Sequence, residues 1–283
     1  MAYAFRIINV FTVGDDRLSG NPLCVFEDAR GMTDDQMQGL ARQMNLSETT
    51  FVLPAERPDA DARVRIFTPG FEMPFAGHPT LGTASVVGAG KDRVALDMKV
   101  GLVGVTREGA AWTLRAAKAP EARKVNASRA EIASMLELPE EALADDPLWV
   151  STGVEQLVVP VTSAEHVRAA RPVPSLLERW GYSTARAEAM AYVCAVGEEA
   201  GEWPVRFFFT TNGALLEDPA TGSACANLGG WWIATGRRLP MSATLRQGDA
   251  VGRPSRLGLR VDEDQGIHVT GEVIELGRGT IDL

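Results

Sequence analysis

Two segments of this chain follow the same plan, and this repetition constrains the fold more than any other feature. The segments are VRIFTPGFEMPFAGHPTLGTASVVGAG, starting at residue 64, and VRFFFTTNGALLEDPATGSACANLGGWWIATG, starting at residue 205. Each reads as a strand, a bend, a second strand, a turn and a helix that carries no charge. Because a helix without a polar face is normally buried, we expect two similar halves, each with strands around one buried helix.

The spacing of equivalent positions supports an internal duplication. Arg65 and Gly77 are 12 residues apart and Arg206 and Gly222 are 16 apart, so a four-residue insertion relates the two segments. The predicted fold class is α+β, with two pseudo-symmetric halves that are each a curled, mostly antiparallel sheet around a central helix. The predicted halves are residues 1–118 and 119–271, and the last strand, about 272–283, is expected to complete the first half.

Composition excludes several classes of function. The formal net charge is −9 and no Lys/Arg cluster occurs, which argues against nucleic-acid binding and against adhesion to anionic membranes. No run of 18 apolar residues is present and the first residues lack the pattern of a signal peptide, so we expect a cytoplasmic protein. The three cysteines and three histidines lie far apart, without CxxC or HxxxH spacing, and therefore predict neither a disulfide framework nor a metal site.

The starts of the two charge-free helices are candidate anion sites. One start contains Gly77 and His78, and the other contains Thr221, Gly222 and Ser223. Backbone N–H groups at a helix start, together with the helix dipole, bind carboxylates and phosphates. The alternative is that these residues only cap their helices.

Acidic residues near these segments are candidates for proton transfer. Glu48 stands where a helix gives way to a strand, on the face expected to point inward, where a carboxylate is costly unless it is paired or used. Glu155 occupies a similar place in the second half and is the rival. Asp218 precedes Ser223 by five residues and could instead cap the turn, and His78 could be a core histidine bonded to backbone.

Five motifs together resemble the PhzF-like family of phenazine biosynthesis, whose fold resembles that of diaminopimelate epimerase. The motifs are GNPLCVF, NLSETTFV, RIFTPGFEMPFAGHPTLGTA, EDPATGSA and RQGDAVGR, spread over residues 20–253. The resemblance implies that Glu48 is the catalytic acid/base and that His78 and Asp218 take part in catalysis. It implies a substrate-binding set made of Ser47, Gly77, Thr221, Gly222 and Ser223.

The resemblance also implies a reaction. It is the isomerisation of trans-2,3-dihydro-3-hydroxyanthranilate, in which a proton leaves C3 and returns at C1, without a cofactor and in a homodimer. Two alternatives remain open: a racemase or epimerase of a small amino or hydroxy acid, and a non-catalytic binding protein. Related racemases place a cysteine just before each buried helix, and those positions are Ala76 and Thr221 in this chain.

Overall fold

The computed structural model divides the chain into two compact units. It describes residues 1–116, 118–197, 202–211 and 213–283. The first unit comprises Met1–Ala117 and Thr270–Leu283, and the second comprises Lys118–Val269. Both units contain many strands and few helices, in a mixture of parallel and antiparallel pairings. Among the residues described, no helix is long and apolar enough to cross a membrane.

The first unit is a ring of strands around one helix. Its elements are β1 (Ala2–Val10), β2 (Asn21–Phe26), α1 (Asp34–Met44), β3 (Glu48–Leu53), β4 (Ala62–Phe67), β5 (Glu72–Met73), α2 (Gly77–Val87), β6 (Arg93–Met98), β7 (Gly101–Glu108), β8 (Ala111–Arg115) and most of β18 (Ile267–Asp282). Pairings run β1–β2–β3–β4–β6–β7–β8, and β18 pairs with both β8 and β1, which closes the ring. The β2–β3 and β4–β6 pairs are parallel.

Helix α2 lies inside this ring, as its composition predicts. It packs on β1, β2, β3, β6 and β8, and its first eight residues are all buried. Its hydroxyl groups form hydrogen bonds within the unit: Thr83 Oγ1 donates to Thr50 Oγ1 at 2.8 Å, and Thr80 Oγ1 donates to the Ala76 carbonyl at 2.7 Å. These bonds offset the cost of burying polar groups. The helix begins at Gly77, so Pro79 is its third residue.

Helix α1 fixes the position of the strand that carries Glu48. Thr33 and Gln36 form a capping box at its start, and Asn45 adopts a left-handed conformation (φ 50°) at its end. This cap turns the chain into β3, which pairs in parallel with β2 so that Glu48 lies opposite Leu23. Thr49, Thr50 and Phe51 of β3 are all buried, because α1 packs on one face of the strand and α2 on the other.

The second unit also builds its sheet around one helix. Its elements are β9 (Glu121–Lys124), α3 (Arg129–Met135), a 3₁₀ helix (Glu140–Ala142), β10 (Leu148–Ser151), β11 (Glu155–Val161), α4 (Ala164–Ala169), α5 (Pro174–Trp180), β12 (Tyr182–Ser183), β13 (Glu188–Ala195), β14 (Glu202–Thr211), β15 (Ala214–Asp218), α6 (Gly222–Ala234), β16 (Met241–Gln247), a 3₁₀ helix (Asp249–Val251) and β17 (Ser255–Val261). Pairings run β9–β10–β11–β13–β14–β16–β17.

Helix α6 is the buried helix of this unit. It packs on β9, β10, β11 and β17. A Cβ atom at Gly230 would lie 2.8 Å from both Pro120 Cβ and Val150 Cγ1, so this glycine allows the helix and the sheet to approach closely.

Candidate active site

Glu48 and His78 form a polar pair in the first unit. Glu48 is the first residue of β3, and its side chain is on the same face as Thr50, which contacts α2. His78 is the second residue of α2. Glu48 Oε2 lies 3.3 Å from His78 Nδ1, and the two side chains are only 15% and 5% exposed. The closed ring of strands therefore brings a carboxyl group to the N-terminus of the buried helix.

The imidazole of this pair is uncharged near neutral pH. Burial lowers the pKa of His78 to about 3, although a hydrogen bond with the Pro22 backbone acts in the opposite direction. The contact with Glu48 is therefore one between a carboxyl group and a neutral ring. A cation beside a carboxylate favours its ionised form, and the neutral His78 ring does not act in this way.

Glu155, the rival carboxylate, is held by a cation. It begins β11 as Glu48 begins β3, and its side chain is similarly covered, at 16% exposed. Its two oxygens accept hydrogen bonds from Nε and Nη2 of Arg123, both at 2.9 Å, and Ser183 Oγ donates to it at 2.7 Å. Burial alone would raise the pKa of Glu155, but Arg123 and Ser183 lower it on balance. This carboxylate is part of a structural ion pair and is poorly suited to carry a proton.

A second polar cluster surrounds the start of α6. Asp218 ends β15, and Thr221 is the N-cap residue of α6. Thr221 Oγ1 donates to Asp218 Oδ2 at 2.6 Å, and the Thr221 N–H donates to Gln247 Oε1 at 3.2 Å. Asp218 thus bonds the turn before α6 through the Thr221 hydroxyl, as the alternative interpretation of this residue allowed. The backbone N–H and the hydroxyl of Thr221 both form hydrogen bonds within the unit, and its contact with substrate stays a prediction.

The remaining predicted binding residues differ in their accessibility. Ser223 is half-buried, and its Oγ lies 2.8 Å from the side-chain amide of Gln156. Gly77 and Gly222 are buried first residues of α2 and α6. Ser47 is exposed directly before Glu48. Intrahelical bonds do not use the first N–H groups of a helix, so these groups at Gly77 and Gly222 can donate to an anion.

Sequence reasoning missed the buried amides of the second cluster. Gln156 and Asn227 are fully buried, and Asn227 Oδ1 accepts from the Thr152 backbone N–H and from Thr152 Oγ1, both at 2.8 Å. Gln247 is likewise buried beneath the Asp218–Thr221 turn. The RQGDAVGR motif was the signal for Gln247, whereas no pattern pointed to Gln156 or Asn227.

The three cysteines are buried, and none of them is the N-cap residue of a buried helix. Ala76 and Thr221 are the N-cap residues of the two buried helices, the positions where related racemases place cysteines. Burial raises the pKa of the Cys24 thiol to about 12 and raises the pKa values of Cys194 and Cys225 further. A thiol in this state is a poor nucleophile and a poor proton carrier. Within the described part of the chain, no group of three or more His, Cys, Asp or Glu residues could hold a metal ion.

Comparison with known proteins places the chain in one family. The PhzC-PhzF family, described as phenazine biosynthesis-like protein, matches residues 8–279. The chain is 38% identical over 282 residues to a protein of Pasteurella multocida named as an uncharacterized isomerase, covering 99% of this chain and 94% of the relative. It is 36% identical over 272 residues to trans-2,3-dihydro-3-hydroxyanthranilate isomerase of Pseudomonas aeruginosa, covering 91% of this chain and 90% of the relative.

A solved structure agrees with this match at the level of the fold. The crystal structure of the Bacillus anthracis phenazine biosynthesis protein of the PhzF family superposes with a TM-score of 0.84 and 23% identity, covering 100% of both chains. Its fold is therefore the fold of this chain. The sequence match, the isomerase names of the relatives and the fold lead to one conclusion: the chain belongs to the PhzC-PhzF family of phenazine biosynthesis-like proteins and is an isomerase.

Proposed function

We propose that this protein is a cofactor-independent isomerase that moves a proton within a small cyclic carboxylate, with Glu48 as the proton carrier. The observation that carries the proposal is the contact between Glu48 and the neutral, buried His78 at the start of α2. Glu155, the matched carboxylate of the second unit, is instead fixed by Arg123. The ion pair with Arg123 favours the ionised form of Glu155, whereas Glu48 lies against an uncharged ring.

The substrate class in this proposal is that of trans-2,3-dihydro-3-hydroxyanthranilate, after which a 36% identical relative is named. The Glu48 carboxylate removes the proton from C3 of the ring, and the electron pair left on carbon shifts through the conjugated system to C1. The same carboxyl group then returns a proton at C1, which gives an enol isomeric with the substrate. The enol loses its hydroxyl proton and takes one at carbon to become a ketone, so atoms and electrons balance throughout.

The surrounding groups have distinct roles in the proposal. His78 contacts the carboxyl group and holds it at the helix start without the charge that would keep it ionised. The N–H groups at Gly77, at the start of the same helix, are proposed to bind the substrate carboxylate. The family resemblance also predicts that Asp218, Gly222 and Ser223 contact a substrate. General acid–base catalysis of this kind contributes about 10²–10⁴-fold to a rate.

The experiment that tests the proposal is turnover in deuterated water with mass-spectrometric detection. The purified chain is incubated with trans-2,3-dihydro-3-hydroxyanthranilate and, in parallel, with other unsaturated cyclic carboxylates. The proposal predicts an isomeric product with at least one carbon-bound deuterium, because the enol takes its carbon-bound proton from the solvent. If neither product nor deuterated substrate forms from any of these acids, the proposal is wrong.

A further inference from the structure

Gln247 and Gly248 form part of a sequence motif that the proposed function leaves without a role. Gln247 is the last residue of β16 and is 1% exposed. Its side-chain amide makes three hydrogen bonds to the turn before α6. Nε2 donates to the Asp218 carbonyl at 2.8 Å and to Thr221 Oγ1 at 3.0 Å, and Oε1 accepts from the Thr221 N–H at 3.2 Å. One buried amide therefore uses both its donors and its acceptor on two residues of the turn.

These bonds fix the direction of the Thr221 hydroxyl hydrogen. Because Thr221 Oγ1 accepts from Gln247, its own hydrogen points to Asp218 Oδ2, 2.6 Å away. Each bond in such a chain polarises and strengthens the next. Thr221 is therefore held as a donor to Asp218, and it cannot act as the second base that a racemase would need.

Gly248 lets the backbone after Gln247 pack directly under the same turn. Its φ is +83°, and a Cβ atom there would lie 2.5 Å from the Pro219 carbonyl oxygen and would also overlap the Arg253 carbonyl. Any side chain at this position would push the strand end away from the turn. Gln247 thus forms side-chain hydrogen bonds to the turn before α6, and Gly248 allows the backbone to pack closely against the same turn.

We propose that Gln247 is a positioning residue of the isomerase reaction, which acts through the Thr221 hydroxyl to hold the Asp218 carboxylate in a single orientation. The inference rests on the proposed function, because it assumes that Asp218 meets the substrate. It adds a residue that lies beneath the reacting groups and touches neither substrate nor proton. It also makes the pair Gln247–Thr221 a single functional unit.

A double-mutant cycle tests the proposal kinetically. Gln247→Met keeps the length of the side chain and removes its three hydrogen bonds, and Thr221→Val removes the hydroxyl. Each is expected to lower kcat/KM for trans-2,3-dihydro-3-hydroxyanthranilate by about 10- to 100-fold, the cost of misplacing a reacting group. Because Gln247 acts through Thr221, the double variant should be no slower than the slower single variant. Losses that multiply would overturn the proposal.

The control for this cycle is Gln38→Met in the first unit. Gln38 Nε2 also donates to two backbone carbonyls, those of Thr68 at 2.9 Å and Pro69 at 3.1 Å. This variant should be less stable but retain kcat/KM. If kcat/KM falls equally in Gln38→Met and Gln247→Met, the role of Gln247 is only structural and the proposal is wrong. Should Gln247→Met not fold, Gln247→Glu replaces it, since it matches glutamine in size and lacks both N–H donors when ionised.

Crystal structures give a readout that needs no turnover. In the Gln247→Met variant, the Thr221 hydroxyl is expected to lie beyond hydrogen-bond distance of Asp218 Oδ2. The two atoms are 2.6 Å apart in the unmodified chain. A pair that stays at hydrogen-bond distance would overturn the positioning role. If Glu48→Gln retains full activity, the proposed function fails whatever the variant structures show. If Glu48→Gln is inactive and the Thr221–Asp218 bond survives in Gln247→Met, only the present inference fails.

Discussion

Replacing Gly82 by alanine tests whether α2 is enclosed by its ring of strands. A Cβ atom at Gly82 would lie 2.6 Å from Leu23 Cδ2, 2.8 Å from Ile8 Cδ1 and 2.9 Å from Val10 Cγ2. These three side chains are at most 1% exposed, so they have little room to move away. Overpacking of this kind costs about 1–3 kcal/mol, and alanine in a helix regains about 0.5–1 kcal/mol relative to glycine. The expected net loss in the free energy of unfolding is about 0–2.5 kcal/mol.

Gly39→Ala in α1 is the matched control. A Cβ atom at Gly39 would have no other atom within 4 Å, so only the gain in helix propensity remains. This variant should be more stable by about 0.5–1 kcal/mol. The assay is urea unfolding followed by circular dichroism, with amide hydrogen exchange to report on the first unit. A rise in the unfolding midpoint for Gly82→Ala similar to that for Gly39→Ala would refute the enclosure of α2.

Three further predictions concern the thiols, Glu155 and the oligomeric state. A variant with Cys24, Cys194 and Cys225 all replaced by serine or alanine should retain most turnover. Its free energy of unfolding should fall by about 1 kcal/mol per site, because all three side chains are buried. A thousandfold loss of turnover in Cys225→Ser alone would show that a thiol carries the proton. The pKa of Glu155 is lowered in the folded state, so its ionised form stabilises the fold. Glu155→Gln should therefore lower the free energy of unfolding above pH about 4.3, which is the pKa of glutamate in an unfolded chain. That difference in the urea midpoint should shrink as the pH falls through the folded pKa, and a pH-independent difference would contradict the ion-pair assignment. The family resemblance predicts a homodimer, so sedimentation should give about twice the 30.4 kDa chain mass at micromolar concentration, and a 30.4 kDa particle would contradict it.

Local sequence signals predicted the elements that local physics determines. Thr33 with Gln36 and Ser128 with Glu131 are sequence patterns that predict capping boxes, and Asn45 after Met44 predicts a left-handed helix end. All three are present, because each depends on residues within one or two turns. The two charge-free helices are buried, as the absence of a polar face predicts. The short helices α4 and α5 were missed, since six or seven residues carry too little periodicity to be recognised.

The contacts that distinguish the candidate carboxylates could not be predicted from the sequence. Glu48 and His78 are 30 residues apart, and they meet only because β3 joins the ring around α2. Arg123 reaches Glu155 across a separation of 32 residues, through the register of β9, β10 and β11. Side-chain pairing of this kind depends on tertiary register, which composition and spacing do not specify. The motifs pointed to Glu48, and the ion pair with Arg123 is the structural difference that sets Glu155 apart.

The most direct test of the central claim compares turnover by Glu48→Gln and Glu155→Gln. Both replace a glutamate that begins a strand and is 15% or 16% exposed, so the two changes are closely matched in burial and chemistry. With trans-2,3-dihydro-3-hydroxyanthranilate as substrate, Glu48→Gln should lower kcat by about 10²–10⁴-fold while the protein stays folded. Glu155→Gln should keep kcat near that of the unmodified chain. The reverse ranking, or equal kcat values for the two variants, would contradict the assignment of Glu48 as the proton carrier.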